Sequence, residues 1–142
     1  MRITDVLRGK GGDVATIGPD QTVQALLDAL AEHRVGALVV SEDGSTVAGI
    51  VSERDVVRHL QARGASLLAQ PVRSIMTSEV HTCAPDTYVR DLMVLMTERR
   101  VRHVPVVTDG RMTGIVSIGD VVKHRMGELQ SERDHLTAYI QS

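Results

Sequence analysis

The chain has 142 residues, 42% hydrophobic and 24% charged, enough to fill the core of one compact domain or of two small units sharing one. A formal charge of −2 provides no electrostatic drive toward DNA or an anionic membrane. With no Phe or Trp, only Tyr88 and Tyr139, and a single Cys83, the chain lacks a base-stacking platform, an internal disulfide and a Cys-rich zinc site.

In chain order, "ITDVL" (Ile3–Leu7) reads as a short lead-in helix, followed by "RGKGGD" (Arg8–Asp13). That run has no P-loop spacing and no Lys-Ser/Thr, so it reads as a mobile loop rather than a phosphate cradle. Val14–Ile17 is extended, and Pro19-Asp20 turns the chain toward Thr22. Val23, Leu26, Leu27 and Leu30 then recur at helical spacing. Ala37–Val40 reads as a strand, "EDG" as an Asp-Gly turn and "GIVS" as the returning strand, and Asp55-Val-Val starts a second helix. "RGASLLAQPVRSIMT" follows as a linker, with Pro71 in the first turn of a short helix ending at Met76.

The order then repeats. Val80–Cys83 is extended, Pro85-Asp86 and Thr87 turn the chain, and Val89, Leu92, Met93 and Met96 mark a helix. His103–Val107 is a strand, "TDG" a turn, and "GIVSIGD" the counterpart of "GIVSERD" (residues 49–55). Over Val14–Gly44 against Val80–Gly110, 12 of 31 positions are identical. Over Gly49–His59 against Gly114–His124, 8 of 11 are. The one-residue change of offset falls in the turn, as a duplication followed by a loop deletion predicts. "VRSIM" (Val72–Met76) resembles "ITDVL", so each copy carries its own lead-in. The expected fold is α/β, two β-α-β-β-α repeats packed with pseudo-twofold symmetry plus a C-terminal helix. Residues 1–66 form the first repeat with its lead-in, 67–126 the second, and 127–142 the extension.

Ser52-x-x-Asp55 and Ser117-x-x-Asp120 admit two readings. Serine followed three residues later by an acid is a capping box that satisfies free amides at a helix start. The same helix start offers N–H groups and a positive dipole end to a phosphate, and a carboxylate can accept both hydroxyls of a ribose. The glycine opening each "GIVS" reads as a turn residue.

The doubled "G-I-V-S-x-x-D-V-V", the "T-x-x-P-D" entering each unit, and "V-G-A-L-V-V" or "V-R-H-V-P-V-V" in the middle resemble the cystathionine-β-synthase (CBS) domain, and two in tandem resemble a Bateman module. The resemblance covers nearly all of residues 1–126. It implies regulatory binding of adenosine-containing ligands (AMP, ADP or ATP, with NAD and S-adenosylmethionine as further candidates), no required cofactor, and signalling to a regulated partner. It also implies two clefts between the repeats. The first takes Ser52, Arg54 and Asp55 with His81, Val101, Arg102 and His103; the second takes Ser117, Gly119 and Asp120 with Ala15, Val35, Gly36 and Ala37. Lys10, by its position just before the first strand, is placed to flank this second cleft. Arg102 and His103 would face phosphate in the first cleft. The usual middle-strand proline is present as Pro105, but Val39 stands in its place in the first copy.

Arg99 and Arg100 read as complements to a helix C-terminal dipole, and Cys83 as a buried, inert thiol. The six histidines show no metal-ligand spacing, and no nucleophile–base arrangement suggests an enzyme. With no signal-peptide pattern or apolar run long enough to span a bilayer, the expected location is the cytoplasm. Val122, Met126, Leu129, Leu136 and Ile140 follow a heptad seam interrupted by Arg133, which predicts a homodimer. The competing function is a structural, partner-binding dimerisation module with vestigial clefts.

Overall fold

In the computed structural model, which describes residues 1–141, the chain runs α1 (Ile3–Lys10), β1 (Thr16–Ile17), α2 (Val23–His33), β2 (Ala37–Val40), β3 (Gly49–Ser52), α3 (Glu53–Arg63), α4 (Val89–Arg99), β4 (His103–Thr108), β5 (Arg111–Ser117) and α5 (Ile118–Gln141). Two 3-10 segments, Gly64–Ala69 and Val72–Ser74, occupy the region between α3 and α4. The α/β reading holds and both repeats keep the α-β-β-α order, but only the first opens on a strand. The extension is no separate element, because α5 runs unbroken for 24 residues from the second repeat to Gln141.

β1 pairs in parallel with β2, and β2 antiparallel with β3. In the second repeat β4 and β5 pair antiparallel, while the extended segment before α4 contributes a single parallel bridge, Cys83 to Val106. Pro105 accounts for the difference. Val39, its counterpart, joins the β1 ladder opposite Thr16, but proline has no N–H to donate. The second Asp-Gly turn is a two-residue hairpin loop in which Asp109 (φ 52°) and Gly110 (φ 77°) both take positive φ, as that turn type requires.

Thr22 caps α2, its Oγ1 accepting from the Ala25 N–H at 3.1 Å. Thr87 instead closes the preceding turn by accepting from the Ala84 N–H at 3.0 Å, and Tyr88 takes the position equivalent to Thr22 without a side-chain cap. Both helices end on an arginine in the left-handed region, Arg34 and Arg100, each at φ 54°. The N–H groups of Val35 and Val101 then return to the carbonyls of Leu30 and Met96, at 3.1 and 3.2 Å.

The lead-ins are exchanged between the repeats. Ile3 and Val6 of α1 are buried in the second core with Val89, Leu92, Met96, Val104, Val106, Val116 and Val121. Val72 and Ile75 are buried in the first core with Val23, Leu26, Leu38 and Val51, and Leu67 joins them, so the linker is core rather than tether. Matching backbone bonds fix both straps. Val72 N–H donates to Gln21 (2.8 Å), Arg73 to Pro19 (2.9 Å) and Val23 to Gln70 (2.9 Å). In the other repeat Ile3 donates to Thr87 (2.9 Å), Thr4 to Pro85 (2.9 Å) and Val89 to Met1 (3.0 Å).

This exchange explains the glycine of each "GIVS". Neither Gly49 nor Gly114 has positive φ, so turn geometry is not the reason. A Cβ on Gly49 would lie 2.8 Å from the Thr77 carbonyl oxygen and 2.8 Å from Met76 Sδ, and one on Gly114 would lie 2.7 Å from Leu7 Cδ2. Each strap crosses its sheet where a side chain is missing.

Gly49→Ala should therefore lower stability by about 1–3 kcal/mol in chemical denaturation, because a backbone carbonyl cannot step aside. Gly114→Ala should cost less, since it meets only the end of a flexible leucine. Equal costs, or the reverse order, would contradict the strap geometry.

Candidate functional site

β3 passes into α3, and β5 into α5, without an intervening loop, so the strands fix the groups at each helix start. Asp55 Oδ2 accepts from the Ser52 N–H at 2.8 Å and lies 3.1 Å from Ser52 Oγ, which accepts a long 3.4 Å bond from the Asp55 N–H. Ser117 and Asp120 repeat the pattern, with bonds of 2.9 and 3.2 Å. The capping reading therefore holds at both sites. It engages only Oδ2, and among the described residues Asp55 Oδ1 accepts no hydrogen bond. The amides are less available than a bare helix start suggests. Glu53 N–H donates to the Gly36 carbonyl (3.0 Å), and Ile118 N–H to that of Arg102 (2.8 Å).

A cavity of about 270 Å³ opens beside the start of α3. Ser52, Arg54, Asp55, His81, Val101, Arg102 and His103, the residues expected in the first cleft, all line it. The left-handed turn at Arg100 and the pairing of Thr77 with Ile50 bring the second repeat's contribution to Asp55. Gly36 and Ala37, expected beside Ser117, line this same cavity. Arg58, Arg100, Thr77 and Glu79, together with Ile50, Val51, Glu53 and Val80, complete the wall and were not read from the sequence as site residues. Arg58 lies one helical turn beyond Arg54, a signal available in the sequence; Arg100 was assigned to a helix dipole instead.

The cavity brings Arg54, Arg58, Arg100 and Arg102 together against Glu53, Asp55 and Glu79. Its wall is thus cationic on balance, with one carboxylate held rigidly by its cap. His103 adds no charge at neutral pH. Burial lowers its pKa below the usual histidine value, Lys10 and Arg102 push the same way, and Asp120 and Glu53 oppose them. Anion contacts therefore fall to the arginines, and His103 offers a neutral imidazole.

The second group is not gathered in this way. Ala15 packs against the first core, Val35 is 41% exposed, and Gly119 is exposed at the start of α5. Asp120 lines a separate cavity between α1 and α5 with Lys10, Lys123 and His124. Lys10 Nζ lies 2.6 Å from Asp120 Oδ2 and donates to the Ile115 carbonyl at 2.9 Å. Burial works to raise the Asp120 carboxyl, but Lys10 and the Ser117 donors outweigh it and hold it below its ordinary value.

Burial pushes the Cys83 thiol up to about 11, consistent with an inert group. Among the described residues no cluster of three His, Cys, Asp or Glu side chains could hold a metal ion, and no helix is long and apolar enough to cross a membrane.

Comparison with known proteins matches these features. The CBS domain profile fits twice, over residues 4–62 and 72–127. The chain is 42% identical to the mitochondrial CBS domain-containing protein CBSX3 of Arabidopsis thaliana, over 98% of this chain and 71% of that protein. The crystal structure of the CBS-domain containing protein ATU1752 from Agrobacterium tumefaciens is 43% identical and superposes with a TM-score of 0.85, over 88% of this chain and 99% of that one. The CBS domain protein PAE2072 from Pyrobaculum aerophilum, complexed with AMP, is 27% identical with a TM-score of 0.75, over 84% of this chain and 89% of that one. Two matches to one domain profile and relatives above 40% identity establish that the chain belongs to the CBS-domain family and carries two copies of the domain.

Proposed function

We propose that this protein is a regulatory module, not an enzyme, that binds an adenosine phosphate in the Asp55 cavity and signals the occupancy to a partner protein in the cytoplasm. One observation carries the reading: a single cavity joins a fixed carboxylate, whose Oδ1 is free for ribose hydroxyls, to four arginines that can hold phosphate. Guanidinium groups grip phosphate through paired, charge-assisted hydrogen bonds about twice as strong as neutral ones. The adenine would lie against Val80, Val101 and Ile50, since the cavity offers aliphatic rather than aromatic walls. The AMP complex of the Pyrobaculum relative supports the ligand class. ADP and ATP fit the same chemistry. NAD brings a second nucleoside to a cavity of limited volume, and the sulfonium of S-adenosylmethionine brings positive charge to a cationic wall.

The second part of the proposal is a homodimer formed through α5. Only Val121 of this helix is buried, and its stripe is open, with Val122 44%, Met126 64%, Leu129 49% and Leu136 62% exposed. Most helical stability in proteins comes from packing an apolar face, which this stripe lacks among the described residues. A second copy would cover the stripe.

Isothermal titration should show AMP binding that weakens with rising salt and exceeds that of adenosine. Asp55→Asn keeps an acceptor for the Ser52 N–H but places a donor toward the ribose, so it should preserve stability and reduce AMP affinity by at least about tenfold. Unchanged affinity would remove the nucleotide reading and leave a structural module. For the dimer, light scattering should give twice the chain mass at micromolar concentration, and Leu129→Glu with Leu136→Glu should yield monomer. A monomeric wild-type protein would contradict it.

A further inference from the structure

The two lead-ins occupy equivalent places yet end in opposite charges. Ile3 and Val72, Val6 and Ile75, and Leu7 and Met76 are each 69 positions apart, and the same step pairs Lys10 with Glu79. In the first repeat the chain beyond Met76 is extended, and Thr77 exchanges two backbone bonds of 2.9 Å with Ile50 at the edge of β3. In the second repeat the lead-in stays helical to Lys10, and among the described residues no backbone donor of the lead-in reaches Ile115, the counterpart of Ile50. The Lys10 ammonium donates to that carbonyl instead and, from there, contacts Asp120 Oδ2 at 2.6 Å. Glu79 cannot do the same to Asp55, so the first carboxylate stays open.

We infer that Lys10 is an internal latch that closes the Asp120 site, so the module binds one nucleotide per chain, at Asp55, until the latch is released. The inference rests on the nucleotide reading above. The ammonium stands in for the donors a ribose diol would bring, and both partners are about two-thirds or more covered, with side-chain exposures of 36% for Lys10 and 26% for Asp120. A ligand must therefore displace a partly desolvated, charge-assisted contact before it can use Asp120. The segment bearing Lys10 is built to let go. Gly9 and Gly11 flank it with no other group within 4 Å of a notional Cβ, and Gly11 takes φ 95°. Release breaks one side-chain contact set while Ile3 and Val6 stay anchored in the core.

Two measurements on the full chain test the latch. In AMP titrations the wild type should bind one equivalent, and Lys10→Met, which keeps the aliphatic stem, should bind two. The second site should survive in the Lys10→Met, Asp55→Asn double variant. Two equivalents in the wild type, or one in Lys10→Met, would overturn the latch. Amine acylation followed by mass spectrometry needs no nucleotide: Lys10 should react about tenfold more slowly than Lys123, and Asp120→Asn should abolish the difference. Equal rates in the wild type would overturn the ion pair itself. Protected Lys10 in a chain that binds no AMP would support the closure and instead reject the nucleotide reading.

Discussion

Everything in this molecule depends on the crossing of two straps. Each repeat is completed by a segment that precedes the other in sequence: α1 seals the second core and the turn at Val72–Ser74 seals the first. Removing either strap opens a core and unpairs three backbone amides or carbonyls at once, a cost neither repeat of roughly 50 residues can absorb. The duplicated chain thus becomes one cooperative body, and the glycines of "GIVS" are the points where the straps lie closest.

The same crossing makes the site. The linker that leaves the first core at Met76 runs along the edge of β3 and delivers Thr77, Glu79, Val80 and His81 to the wall beside Asp55. From the opposite side, the left-handed arginine ending α4 turns Val101–His103 toward it. The cavity is therefore assembled only when both repeats and the linker are in place. A ligand bridging Asp55 and the arginines would stabilise that arrangement by mass action, which gives the module a means to report occupancy.

Much of this was legible in the chain. The helical spacing of Val23, Leu26 and Leu30, the β2 limits at Ala37 and Val40, and the doubled Ser-x-x-Asp depend on local periodicity, which one sequence carries in full. The seven residues that the CBS resemblance implied for the first cleft line one cavity. The similarity of Ile3–Leu7 to Val72–Met76 established equivalence but could not say which copy each completes, since apolar spacing does not encode a destination. For the same reason Leu67 read as linker although it is fully buried. Gly36 and Ala37, expected beside Ser117, line the Asp55 cavity, because the Gly36 carbonyl accepts from the Glu53 N–H and lies at the start of α3, a contact that motif spacing does not encode. The Lys10 contact depends on α1 staying helical three residues past Leu7, a difference between the lead-ins that their likeness concealed.

The open cleft and the latched one together make a single claim, that an old symmetry has been broken by one charge. A crystal structure of the AMP complex tests it most directly. The expected density shows one nucleotide per chain, ribose on Asp55 and phosphate among Arg54, Arg100 and Arg102, with Lys10 still on Asp120. A nucleotide seated on Asp120 with Lys10 swung away, and the Asp55 cavity empty, would contradict it.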